Sequence, residues 1–247
     1  MNQLKGCKKK EKQTISSKLS NLRLSKRKSA LKKIPDACSL KDKFPSVWLQ
    51  PLYGNCTSYA CLACDSYYYH TDKFMPSTTF CYYNQKRNEK PLLDDGSYNE
   101  KALRVIKKFG TCNSSIWAND EPFDQKPSDF AYQDGLHGHE VKKWYAVTNL
   151  KQLKQALASG YPVVAAFDWA FDKGYDNNYI LYHPTSKEVF DNDNGHAVVI
   201  VGYDNKTGLV EIRNSWGEGW GNNGYCYMKY ETLKRCIWWD DTYAVVK

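Results

Sequence analysis

No apolar run in this chain approaches the ~20 residues that a membrane-spanning helix needs. The longest, AVVIVGY at residues 197–203, is the length of a strand. The N-terminal stretch MNQLKGCKKKEKQ has no hydrophobic segment behind its charges, so it does not read as a secretory leader. The nine cysteines are odd in number and repeat no spacing, which argues against a disulfide framework. Cys61 and Cys64 form a lone C-x-x-C without the second pair of a zinc site, so no metal is expected. Asn55-Cys56-Thr57 is formally a glycosylation sequon, but a glycan there would block any reactive thiol. These absences point to a reducing, intracellular setting: the cytoplasm or a viral particle. No internal repeat is visible.

Acidic residues are scarce at the start of the chain. Residues 1–33 hold twelve Lys/Arg and one acid, Glu11. That is +11 locally against +8 for the whole chain, so residues 34–247 carry −3. The basicity is a tail, and the body is nearly neutral. A run such as SKRKSALKK is expected to be a disordered, solvated tail or a short pro-segment. Its charge also suits a polyanion or an anionic surface, and a polyanion-binding module is one alternative function.

What is present is enough for a core: 247 residues, 42% hydrophobic and 15% aromatic. Residues 34–247 read as one domain, helical over about 50–120 and β-rich over about 121–247. Cys56, Tyr59, Ala60, Ala63, Cys64 and Tyr67 fall on one face of a helix that Asn55 would cap and Pro76 would stop. DDGSYNEKALRVIKKFG reads as a turn at Gly96 and a helix closed by Gly110. TNLKQLKQALASG reads as a third helix. YPVVAAFDW, HAVVIVGYD, GLVEIRNSW and GYCYMKY are short strands separated by Gly- and Asn-rich turns. Helices followed by strands imply an α+β fold, with a cleft between the halves as the place for a site.

Cys56 would sit in the first turn of its helix, where unpaired N–H groups and the dipole favour an anion. A thiol nucleophile needs a base, an orienting group for that base, and donors for an oxyanion. His70 lies four turns along the same helix, about 21 Å away at ~1.5 Å per residue, and cannot serve. His137, His139 and His183 lie in loops or turns. His196 opens the strand GHAVVIVGYD, and a hairpin would bring Asn214 beside it. Asn214 can fix the tautomer of His196, and Trp216 can cover their hydrogen bond. Gln50, six residues before Cys56, can join the Cys56 backbone N–H in an oxyanion hole.

The segments QPLYGNCTSYA, GHAVVIVGYD and RNSWGEGWGNNGYCYM, in this order, resemble the papain/cathepsin family of cysteine proteases, and its short bacterial and viral branch in particular. The resemblance implies a papain-like fold, with a left helical and a right β-barrel-like subdomain. It implies an endopeptidase using Cys56 as nucleophile, His196 as base and acid, Asn214 as orienting group and Gln50 as oxyanion donor. Gly96 and Ser97 would pair with substrate backbone. Asp240 or Asp241 would lie at the base of the pocket for the second residue upstream of the cut. The expected partner is a polypeptide, the expected state a monomer, and no cofactor is implied. A catalytically inactive papain-fold binding protein is the other alternative. The chain departs from the family at Tyr53, where a disulfide cysteine is common, at Thr57 for tryptophan, and at Pro51 and Ser97 for glycines. An ion pair with His196 is expected to hold the Cys56 pKa in the ~3.5–7.5 range of activated thiols.

Overall fold

The structure is a computed structural model that describes residues 6–10, 34–69, 74–137, 141–171, 173–185 and 195–247. His70, His139, the DNDN run at 191–194 and tail residues 1–5 and 11–33 lie outside the described residues.

The sheet is assembled from strands far apart in sequence. Its members are β1 (Ala37–Ser39), β2 (Lys143–Ala146), β3 (Val163–Asp168), β4 (Gly195–Asp204), β5 (Leu209–Arg213), β6 (Tyr225–Lys229) and β7 (Ile237–Val246). The order is β2-β7-β3-β4-β5-β6, with β1 added along β4. Every pairing is antiparallel. β3 and the first nine residues of β4 are buried throughout, as their continuous apolar runs require of strands covered on both faces.

The helices are α1 (Cys56–Ser66), α2 (Thr78–Lys86), α3 (Asn99–Phe109), α4 (Asp129–His137), α5 (Leu150–Ala158) and α6 (Tyr230–Cys236). α1 packs on β4, α3 and α2, and all eleven of its residues are buried. Its sequence reads as one-sided, but helices and sheet enclose it completely. Its polar side chains are satisfied sideways: Thr57 Oγ1 donates to Gln85 Oε1 (3.0 Å) and Gln85 Nε2 donates to Ser58 Oγ (2.8 Å). α1 ends at Ser66, well before Pro76. Asn55 occupies the N-cap position, yet its side chain makes no capping bond. α3 ends at Gly110 as its sequence predicts.

Candidate active site

The site forms where the start of α1 meets the start of β4. Cys56 is the first residue of α1 and is fully buried. Its Sγ accepts from the Ala197 backbone N–H at 3.3 Å, so the sulfur lies against the residue that follows His196. His196 Nε2 lies 2.8 Å from Asn214 Oδ1. β4 and β5 pair in antiparallel register, Val199 opposite Arg213, and this brings the strand start and the strand exit together. Asn214 is held in turn: its backbone N–H donates to Gly224 O (3.0 Å), and its Oδ1 also accepts from the Ser215 N–H (2.8 Å). Next to it, buried Arg213 donates to the carbonyls of Pro45 (2.8 Å) and Ser46 (2.7 Å) and fixes the end of β5.

Trp216 stacks on the His196 ring, with centroids 5.0 Å apart and planes 21° apart. Trp169 meets the same imidazole edge-on at 4.9 Å and Trp216 at 5.6 Å. Trp169 has no motif of its own in the sequence. Its place follows from the register of β3 on β4, which sets Phe167 opposite His196 two residues earlier. Gln50 reaches the same place. Its backbone N–H donates to Ser215 O (2.8 Å), its Oε1 accepts from Ser215 Oγ (2.8 Å), and its Nε2 donates to Tyr53 O (2.8 Å).

The opposite wall is carried by Asp94–Ser97. Asp94 Oδ1 accepts from the Gly54 N–H and from the Tyr82 hydroxyl, both at 2.9 Å. The Tyr82 oxygen in turn accepts from the Gly96 N–H at 3.1 Å. Lys86, fully buried, pairs with Glu89 and Asp95 and donates to Gly96 O at 3.2 Å. Gly96 has φ +84°, a left-handed conformation open to glycine. Asp241, also fully buried, comes from β7. Its carboxylate accepts from the Asn99 N–H (2.8 Å) and the Glu100 N–H (3.4 Å) and so closes the start of α3.

Between the walls runs the chain's own segment Gly6–Lys10. The Gly6 and Cys7 N–H groups donate to Gly195 O (3.3 and 3.0 Å). Ser97 donates from its N–H to Gly6 O (3.0 Å) and accepts from the Lys8 N–H (2.8 Å), a parallel bridge centred on Cys7. Only glycine fits at position 6: a Cβ there would stand 2.6 Å from Gly54 O and 2.7 Å from Cys56 Sγ. The residues singled out on the two walls, Gly96, Ser97 and Asp241 against His196 and Trp216, therefore face one groove, and this segment lies in it. The sequence signal for it is weak, a lone glycine ahead of three lysines.

This arrangement reverses the protonation expected of the thiol. Burial pushes Cys56 up to about 12, against backbone N–H bonds from Ala197, Thr57 and Cys56 itself, which lower it. Burial pulls His196 down to about 4, against its bond to Asn214. His196 Nδ1 is buried without a hydrogen-bond partner among the described residues. Thiol and imidazole are thus both neutral, rather than an ion pair, while the groove is filled. All nine cysteines are free thiols. Among the described residues no cluster of His, Cys, Asp and Glu could hold a metal, and no helix is long and apolar enough to cross a membrane.

Residues 81–246 match the family profile described as papain family cysteine protease, and the chain belongs to that family. The chain is 30% identical over 201 residues to an uncharacterized peptidase C1-like protein of Acanthamoeba polyphaga mimivirus, an alignment covering 74% of this chain and 63% of that protein. It is 29% identical over 164 residues to human cathepsin O, covering 57% of this chain and 48% of that one. The chain thus spans less than two thirds of the length of these relatives. Among solved structures it is similar to xylellain, a cysteine protease from Xylella fastidiosa, with a TM-score of 0.72 and 26% identity over 87% of this chain and 88% of that one. The fold is papain-like, and the similarity to a viral and a bacterial protein agrees with the short branch that the motifs resemble.

Proposed function

We propose that the protein is a cysteine endopeptidase that cleaves polypeptides through a thioester on Cys56. The observation that carries this reading is the buried His196–Asn214 pair, 2.8 Å apart under the Trp216 ring, brought to the start of the helix that Cys56 opens. In the reaction, the Cys56 proton passes to His196 Nδ1, the ring nitrogen that Asn214 leaves free. The thiolate attacks the peptide carbonyl. The Cys56 N–H and the second N–H of Gln50 Nε2 stabilise the oxyanion. His196 then protonates the leaving amine, and water, deprotonated by His196, hydrolyses the thioester. Asn214 holds the ring tautomer, while Trp216 and Trp169 keep water off the bond between them.

The filled groove is the latent form of this enzyme. Gly6–Lys10 covers the sulfur and must leave before substrate enters. Three of the tail's twelve basic residues are engaged in that groove, so polyanion binding by the tail rests on the remaining charge alone.

The test is labelling by a peptidyl epoxide, with mass analysis, beside hydrolysis of a fluorogenic peptide. Stoichiometric modification of Cys56 is expected, and Cys56→Ala and His196→Ala should each lower hydrolysis by on the order of 10⁴-fold or more. Hydrolysis retained in Cys56→Ala would refute the assignment.

A further inference from the structure

The groove has an unusual property for a surface that must accept peptide: it carries acids at three separate places, Asp95, Asp168 and the Asp241–Glu100 pair, and a different lysine of the inserted segment meets each place. Lys8 Nζ lies 2.8 Å from Asp95 Oδ2. Lys9 Nζ lies 3.6 Å from Asp168 Oδ1 and 5.4 Å above the Trp238 ring. Lys10 Nζ lies 3.1 Å from Asp241 Oδ1 and 3.2 Å from Glu100 Oε2, donates to Asp240 O (3.0 Å) and the Tyr243 hydroxyl (2.8 Å), and stands 5.3 Å above the Tyr243 ring. Three consecutive cations, beginning two residues after the Gly6 that lies against Cys56 Sγ, thus find three separate acidic receptors.

Two of these receptors are buried. Asp168, at the end of β3, is 7% exposed and Asp241 is 0% exposed. Burying a carboxylate is costly unless a cation or several donors meet it. Asp241 has two backbone donors of its own, and Lys10 supplies the cation. Burial raises the Asp241 pKa while Lys10 and the Asn99 and Glu100 N–H bonds lower it. Asp95 is held below the ordinary carboxylate range by hydrogen bonds from Lys8 and Lys86, against its partial burial. The rings of Trp238 and Tyr243 add attraction for a cation over their faces. Such a groove favours a positively charged chain whatever that chain's sequence otherwise is.

We propose that the groove selects basic polypeptides, with Asp95, Asp168 and the Asp241–Glu100 pair each receiving one Lys or Arg side chain of a substrate, and that Gly6–Lys10 is held because it presents that same charge pattern. This rests on the endopeptidase reading for its word substrate, but the recognition itself is a binding property and can be measured without turnover.

The experiment uses the full chain carrying K8Q/K9Q/K10Q, which strips the internal competitor of its charge and leaves it only its backbone bonds, together with Cys56→Ser, which prevents turnover. Fluorescence anisotropy compares two labelled peptides, Gly-Ala-Lys-Lys-Lys and Gly-Ala-Gln-Gln-Gln. The lysine peptide is expected to bind at least tenfold more tightly at 50 mM salt, and the preference to shrink severalfold at 300 mM as screening rises. Asp95→Asn with Asp168→Asn should remove most of the preference; this pair avoids Asp241, whose loss would also uncap α3. Equal binding of the two peptides, or a preference unchanged in the Asp95→Asn/Asp168→Asn protein, overturns the proposal. A parallel hydrolysis assay on the protein with Cys56 intact keeps the two readings apart. Preferential lysine-peptide binding without hydrolysis of any peptide would sink the endopeptidase and leave the groove's selectivity standing. Hydrolysis of neutral peptides with no lysine preference in binding would do the reverse.

Discussion

The two walls of the groove are held by different physics. On the sheet side, His196 sits among Trp169, Trp216 and the buried residues of β4, with one side-chain hydrogen bond, to Asn214. On the helical side, Gly96 is wired through Asp94, Asp95, Tyr82 and Lys86, a chain of charged and hydroxyl groups that also reaches Gly54 in the turn before Cys56. Aromatic packing fixes a ring's orientation and excludes water at little cost in polar desolvation. A polar network fixes backbone position but depends on charge, and buried members must all be satisfied. The wall proposed to do proton transfer is dry, and the wall proposed to grip peptide backbone is ionic.

Removing Trp216 is the sharpest way to break this contrast. Trp216→Ala should lower kcat by about tenfold to hundredfold, the scale of a misplacement of about 1 Å, with KM changed less. It should also admit water to His196 and move its titration up from about 4 toward the ordinary value. NMR titration of the ring and steady-state kinetics check both. A kcat within twofold of the parent would mean that Asn214 and Trp169 orient the base without Trp216.

How far the sequence discloses this site depends on how far apart its partners lie. His196 lies on β4 and Asn214 just past the end of β5, consecutive strands joined by a short turn, so the pair is legible from strand and turn signals together with the NSWGEGWG motif. Cys56 is legible because a helix start has a chemical signature. Trp169 is not, because its contact with His196 depends on the β3–β4 register across the segment between them. Asp241 meets Asn99 across 142 residues, and nothing local to either marks it as the group that caps α3. Gly6–Lys10 is the least legible. Its contacts with Ser97 and Gly195 are backbone bonds, its three lysines are indistinguishable in sequence from the rest of a basic tail, and a search for an apolar helical stripe there looks for the wrong interaction. The neutral thiol and imidazole follow from the same omission: an open groove predicts the ion pair, whereas the filled one removes the water that would stabilise it.

Acid should loosen the closed state. With the groove filled, burial holds His196 near about 4; once the segment leaves and water returns, the ring moves toward its ordinary ~6.5. In the open ion pair that ring proton comes from Cys56, so opening takes up a further proton only as the exposed thiolate titrates, and the open fraction rises as pH falls from the ~3.5–7.5 range of an activated thiol toward about 4, by up to about tenfold per unit. Asp95 and Glu100, both held low by their lysines and Arg104, lose those pairs toward the same acidic end. Hydrogen exchange at the amides of Cys7, Lys8 and Ser97, corrected for intrinsic rates, should show less protection at pH 5 than at pH 7. Equal protection at both would show that the closed state is indifferent to His196.

Lys86 tests the ionic wall directly. Lys86→Met leaves Glu89 and Asp95 without their shared cation and the Gly96 carbonyl without its donor. Both carboxylates are partly exposed, so water recovers much of the loss, and a destabilisation of about 1–3 kcal/mol is expected. In kinetics the effect should fall on KM, raised about threefold to tenfold, rather than on kcat, because the wall positions substrate backbone and not the base. A matching fall in kcat with unchanged KM would erase the distinction between the walls.

The smallest effect is expected at Asn55, where the two kinds of wall meet. A working Asn cap contributes about 1 kcal/mol. Here the Asn55 side chain bonds no first-turn N–H; among the described residues its Oδ1 is buried without a partner and its Nδ2 makes a 3.5 Å contact with Thr78 Oγ1. The start of α1 is served instead by the Asn55 backbone carbonyl, which receives the Ser58 and Tyr59 N–H groups at 2.8 and 3.2 Å. The remaining first-turn N–H groups, those of Cys56 and Thr57, lower the Cys56 pKa against burial, and the Cys56 N–H is the one assigned to the oxyanion when substrate is bound. A capping side chain would compete with the sulfur for those donors, so its absence suits a helix start whose anion is a thiolate. Asn55→Ala should therefore shift stability by less than about 0.5 kcal/mol, well short of a lost cap. The urea midpoint at constant slope measures it. A loss of a full cap's worth would mean that the side chain, and not the sulfur, closes the helix.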